Sequence, residues 1–115
     1  MSDGHRITIS QAAGPVSVIW RGHEVAKTTA ARELREASYP PVLYIPRADA
    51  DMAYFERTSR ETTCPYKGIA HYFTLTADGA TDGNAVWTYE TPKAGVEAIA
   101  GHLAFYPDKV EIRRG

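Results

Sequence analysis

Hydrophobic positions in this chain come in short runs separated by turn residues. Val16-Ser17-Val18-Ile19-Trp20 is β-branched and aromatic, Arg21-Gly22-His23-Glu24 is a turn signal, and Val25-Ala26-Lys27-Thr28-Thr29 returns as a second strand. Residues 30–37 are rich in Ala, Leu, Glu and Arg. Propensity favours a short helix there, with an edge strand as the alternative. Pro40 and Pro41 break that segment; Val42-Leu43-Tyr44-Ile45 is then a strand, stopped by Pro46. Residues 48–55 suggest a short helix with acidic residues at its start, and residues 57–65 a polar loop.

From residue 69 to 76 the pattern is again a strand. Its alternation puts Ile69, His71, Phe73 and Leu75 on one face and Ala70, Tyr72 and Thr74 on the other. A connection through Asp78-Gly79 and Asp82-Gly83 leads to a returning strand over residues 84–90, which makes a hairpin with a long loop. Residues 92–100 hold a short helix signal. Leu103-Ala104-Phe105-Tyr106 and Val110-Glu111-Ile112 are strands joined through Pro107-Asp108-Lys109. Short strands at regular spacing with few helical residues predict a mainly β chain, a β-rich α+β fold. The expected form is two small antiparallel sheets packed as a sandwich or open barrel, with one or two short helices. No repeat or linker divides the chain, so residues 1–115 are read as one domain with its core at about residues 16–112.

Composition narrows the function classes. The chain has 115 residues, 43% of them hydrophobic and 23% charged, which suits a globular domain and argues against disorder. Thirteen basic and fourteen acidic side chains give a net charge of -1, without the basic excess of a dedicated nucleic-acid binder. No apolar run is long enough to span a membrane, and the N-terminus lacks a signal-peptide core. One cysteine forms no internal disulfide and builds no cysteine-rich zinc site, so no metal is expected and the compartment reads as a reducing cytoplasm. The sequence names no cofactor and leaves the oligomeric state open.

Three constellations carry candidate chemistry. In the stretch Thr62-Thr63-Cys64-Pro65-Tyr66-Lys67-Gly68-Ile69-Ala70-His71-Tyr72, a thiol, an amine and an imidazole lie close in sequence. Lys67 near Cys64 would favour the nucleophilic thiolate, with His71, His23 or His102 as base. The alternative is a small buried cysteine and a hydrogen-bonded histidine. Asp49-Ala50-Asp51 has the D-x-D spacing that holds Mg²⁺ in nucleotidyl transfer, yet on a helix the two carboxylates diverge and serve as helix-start residues instead. The aromatics make the third group. Tyr44, Tyr72, Trp87 and Tyr89 are expected to wall a ligand-binding cleft, with Arg47 and Lys67 as polar anchors, or else to pack within the sheets. The leading expectation is therefore a small-molecule-binding β domain with no nucleic-acid or membrane partner. A thiol-dependent or nucleotidyl-transferring enzyme and a protein-interaction or oligomerisation module are the alternatives.

Four segments, read in order, resemble a bacterial family, domain of unknown function 427. They are Tyr39-Pro40-Pro41-Val42-Leu43-Tyr44-Ile45-Pro46, then Thr63 through Tyr72 as written above, then Ala85-Val86-Trp87-Thr88-Tyr89, then Ile99-Ala100-Gly101-His102-Leu103-Ala104-Phe105-Tyr106. The resemblance spans roughly residues 16–112. It implies a mostly β, tent-like fold of two antiparallel sheets meeting at an angle, and it brings the label nucleotidyltransferase. Some related tent folds carry zinc on paired Cys-x-x-Cys motifs; a single cysteine leaves no such site here. Tyr44, Pro46, Cys64, Pro65, Lys67, Gly68, Tyr72, Trp87 and Tyr106 fall on the family's motif, and no established catalytic role comes with them.

Overall fold

The computed structural model describes residues 6–115. Among these residues, ten strands run in chain order as β1 (Ile7–Gln11), β2 (Val16–Trp20), β3 (His23–Thr28), β4 (Arg32–Glu36), β5 (Val42–Tyr44), β6 (Phe55–Cys64), β7 (Gly68–Ala77), β8 (Ala80–Thr88), β9 (Leu103–Phe105) and β10 (Glu111–Arg114). All pairings are antiparallel. They build three sheets, with orders β1-β4-β5, β10-β2-β3 and β6-β7-β8-β9. The chain is mainly β, as its hydrophobic pattern predicts, with three sheets in place of the expected two. No helix among the described residues is long and apolar enough to cross a membrane.

The third sheet exists because residues 30–37 are not helical. β4 is the middle strand between β1 and β5, with Leu34 opposite both Ile9 and Val42. Pairing on both sides outweighs the helix propensity of its Ala, Leu, Glu and Arg residues. Residues 57–64 are likewise a strand rather than a loop, and only Pro65 lies in a turn. β6 lies at the edge of its sheet, with an irregular register between Arg57 and Glu61, and its polar side chains suit an edge facing solvent. The expected helices shrink to single 3-10 turns at Arg47–Asp49, Met52–Tyr54 and Glu97–Ile99.

The β7–β8 connection is tighter than the sequence suggests. Asp78 and Gly79 both have positive φ, 53° and 80°, which is a two-residue type I′ turn, and Asp82-Gly83 lies inside β8. Arg21 and Gly22, at 49° and 83°, make the same turn between β2 and β3. β9 and β10 do not form a hairpin: β9 pairs with β8, and β10 with β2. Two backbone bonds of 2.8 Å between Ile45 and Leu103 tie β5 to β9, and Asp51 N–H donates to Val25 C=O at 2.8 Å.

Two hydrophobic clusters fill the interior. The first contains Val16, Val18, Trp20, Val25, Ile45, Phe73, Leu75, Val86, Leu103 and Phe105. The second gathers Leu34, Tyr44, Ala70, Tyr72, Tyr89, Val96, Ile99 and Ala104. β7 serves both, on opposite faces. Ala70 and Tyr72 enter the second cluster; Phe73 and Leu75, on either side of a register shift, enter the first. The row Ile69, His71, Phe73 and Leu75 is thus apolar and buried only at its far end. Ile69 is exposed, and His71 is half-buried beside Glu61 and Glu90 rather than set in the core.

Candidate functional site: a tyrosine-lined cleft

A cavity of about 220 Å³ opens beside the second cluster. Because side chains alternate along a strand, Leu34 and Glu36 of β4 and Val42 and Tyr44 of β5 reach it from one sheet. Tyr72 of β7 and Trp87 of β8 reach it from another, and Tyr89 and Tyr106 follow directly after β8 and β9. Lys67 comes from the short turn between β6 and β7. That turn is fixed by Gly68, whose φ of +112° disfavours a side chain. A Cβ there would also meet the backbone of residues 91–93 at 3.5–3.7 Å. The Lys93 N–H donates to the Lys67 carbonyl at 2.9 Å, so the loop after β8 holds the turn in place.

The walls are partly bonded to one another. Trp87 Nε1–H donates to the Tyr44 hydroxyl at 3.3 Å, with the two rings edge-on at 6.4 Å between centroids. Tyr106 lies against Trp87 at 4.6 Å. The Tyr72 hydroxyl shares a 2.8 Å hydrogen bond with Thr62 Oγ1, and the Arg60 guanidinium sits 5.0 Å over its ring. Lys67 Nζ donates to Glu36 Oε1 at 2.5 Å, with both side chains largely withdrawn from water. The cleft therefore carries a balanced ion pair and has no net charge of its own.

Burial sets the protonation of the phenols. It pushes the Tyr44 hydroxyl up to about 12, against a smaller opposing effect of the Trp87 hydrogen bond. Burial also raises Tyr89, a mostly buried residue, and no described residue gives its hydroxyl a hydrogen bond. Burial and a hydrogen bond with Tyr72 raise Tyr106. These groups stay neutral through the physiological range and present O–H donors to whatever enters.

Of the residues singled out from sequence, Tyr44, Lys67, Tyr72, Trp87 and Tyr89 line this one cavity. Arg47 does not. The chain leaves β5 at Pro46 into a 3-10 turn, which puts the Arg47 guanidinium 5.2 Å over the Phe73 ring and 3.6 Å from Glu90. Glu90 also takes two hydrogen bonds from Arg57, at 2.8 and 3.1 Å; these, more than the nearby His71, hold its carboxyl below the usual range. His71 belongs to this outer charged group, 3.6 Å from Glu61. Cys64 packs against the second cluster, on the opposite face of the β6–β7 hairpin from His71, so the two do not meet as nucleophile and base. His23 sits 3.1 Å from Asp78, and His102 bonds the Ala100 carbonyl at 3.0 Å.

Asp49 and Asp51 point to separate tasks. Asp49 accepts from Thr28 Oγ1 at 2.6 Å, and Asp51 caps the next turn through Ala53 N–H at 3.2 Å. Among the described residues, no group of three or more His, Cys, Asp and Glu is arranged to hold a metal. Sequence reasoning missed Glu36, Leu34 and Val42 as cleft residues. The signal was the shared parity of Leu34 and Glu36, readable only once β4 is known to be a strand.

Curated proteins return no match to this chain. A family model does match it over residues 8–114, which includes every strand that lines the cleft. The chain belongs to the family described as domain of unknown function 427.

Proposed function

We propose that this domain binds a compact, uncharged small molecule in the tyrosine-lined cleft. The observation that carries the reading is the Tyr89 hydroxyl: neutral, at the open cavity on a mostly buried residue, and without a bond to any described residue. A ligand acceptor that replaces solvent at this hydroxyl would gain a hydrogen bond worth about 0.5–1.5 kcal/mol. Aromatic walls supply stacking surfaces, and the satisfied Lys67–Glu36 pair favours a neutral guest over an ion. At about 220 Å³ the space falls below the roughly 300–1,000 Å³ of drug-sized sites, so the guest is small. One half-buried cysteine and a net charge near zero support a cytoplasmic setting without nucleic-acid or membrane partners.

A thermal-shift screen of small phenols, amides and nucleobases tests this. A ligand at one hundred times its Kd adds about 2.7 kcal/mol of apparent stability. Hits are expected to lose their shift in Tyr89→Phe and Trp87→Leu. Hits that persist unchanged in both variants, or a screen with no hit in any class, would remove the proposal.

A further inference from the structure

A second concavity, a groove of about 580 Å³, lies on the other face of β4. The strand divides its side chains between the two spaces: Leu34 and Glu36 face the cleft, while Glu33 and Arg35 line the groove. Trp87 and Val42 touch both. The groove is mainly apolar, built on Leu43, Phe105 and Ile112 with residues 39–41 as its rim, and the Tyr39 ring there is 65% exposed. Its volume falls within the roughly 300–1,000 Å³ of small-molecule sites.

The charges at its edge are unequal. Glu33 is one carboxylate, largely buried, facing two guanidiniums. Arg35 Nη2 takes it at 2.7 Å, while Arg114 of β10 stands back at 3.6 Å, beyond close hydrogen-bond range. The neighbouring Arg113 is already paired with Glu111 at 2.7 Å. The groove thus combines an apolar floor with one uncompensated positive charge, and the Arg114 guanidinium keeps donors for a second acceptor.

We propose that this groove is a binding site for an amphipathic carboxylate. A flat apolar body lies on Leu43, Phe105 and Ile112, and its carboxylate is taken by Arg114 with Arg35 beside it. A single negative charge matches the single positive excess; a doubly charged phosphate would overshoot it. Carboxylate on guanidinium is also the pairing whose planar geometry allows two parallel hydrogen bonds. This site is separate from the tyrosine cleft and does not depend on it.

The test compares 2-naphthoate with 2-naphthamide, which has the same body and no charge. Calorimetry on the full chain is expected to show the acid binding at least about tenfold tighter, and Arg114→Gln, on an exposed terminal strand, to erase that preference. Methyl NMR locates the guest: the Leu43 and Ile112 signals shift, and those of Leu34 and Ile99 do not. Equal affinity for acid and amide overturns the proposal, as do a preference that survives Arg114→Gln, shifts confined to Leu34, and no binding at millimolar acid. Sedimentation that shows a dimer dissolved by Arg114→Gln, with no naphthoate bound, gives the groove to a second copy of the chain and overturns it too.

Discussion

The two hydrophobic clusters are made of different materials. The buried part of the first is aliphatic and phenyl, and its one large polar-tipped ring, Trp20, sends its N–H outward to Asp82 at 2.7 Å. That bond, more than nearby Arg21, holds the Asp82 carboxyl below its usual range. The second has three tyrosines among its eight buried residues, with a lysine–glutamate pair at its border. Side chains with hydroxyl tips cannot interdigitate as methyl groups do without stranding polar atoms, so a space persists between them. The first cluster meets open space at its Leu43, Phe105 and Ile112 border, on the floor of the groove, while the second is open among its own tyrosines, where it maintains a chemically defined hole.

The same deletion made in both clusters tests that difference most strongly. Leu75 and Leu34 are each fully buried, one in each cluster. Truncating a buried leucine to alanine costs about 2–5 kcal/mol, with the spread set by how much new cavity remains. Leu75→Ala opens a void in packed surroundings and is expected near the top, about 4 kcal/mol. Leu34→Ala only enlarges a cavity already present and is expected nearer 2 kcal/mol. Urea unfolding measures both. Equal costs would mean that the second cluster is as tightly packed as the first, and the contrast would be lost.

A smaller effect is expected from the ion pair. Lys67→Met leaves Glu36 charged in a largely buried position, and breaking a buried pair from one side costs about 3–5 kcal/mol. Glu36 has further contacts and some exposure, which places the expected loss near 3 kcal/mol. Adding Glu36→Gln to Lys67→Met should restore part of it. A double variant no more stable than Lys67→Met alone would show that the pair is not what holds this wall of the cleft.

The same contrast explains which parts of the fold were legible in the sequence. β2 and β7 bury β-branched and aromatic residues, so their runs stand out, and the turn at Arg21–Gly22 follows from residue type. β4 hides because neither of its faces is simply core or simply solvent. Glu33 and Arg35 edge the groove while Leu34 and Glu36 wall the cleft, and the resulting string of charges looks helical. β6 hides for a related reason: as an edge strand it is polar on both faces. Within the site, aromatic residue type points to Tyr72 and Trp87, and a cation between Pro65 and Gly68 points to Lys67. Arg47 went astray because nothing in Pro46-Arg47-Ala48 tells which way a chain turns after a strand. The separation of Cys64 from His71 follows from pairing Cys64 with Gly68 across the turn, which puts the two residues on opposite faces.

The smallest expected effect is the sharpest on purpose. Tyr44 and Tyr89 are both mostly buried residues of the cleft, but only Tyr44 has a described hydrogen-bond partner for its hydroxyl, the Trp87 indole. Tyr44→Phe strands that N–H and is expected to cost about 1–2 kcal/mol. Tyr89→Phe removes a hydroxyl that no described residue satisfies, so stability should change by less than about 0.5 kcal/mol or rise slightly. Thermal unfolding of the two variants side by side settles the difference. A loss in Tyr89→Phe as large as in Tyr44→Phe would make the hydroxyl a structural member of the second cluster. A neutral Tyr89→Phe would leave the hydroxyl contributing nothing to the fold, as expected of a group whose acceptor is a guest in the cleft.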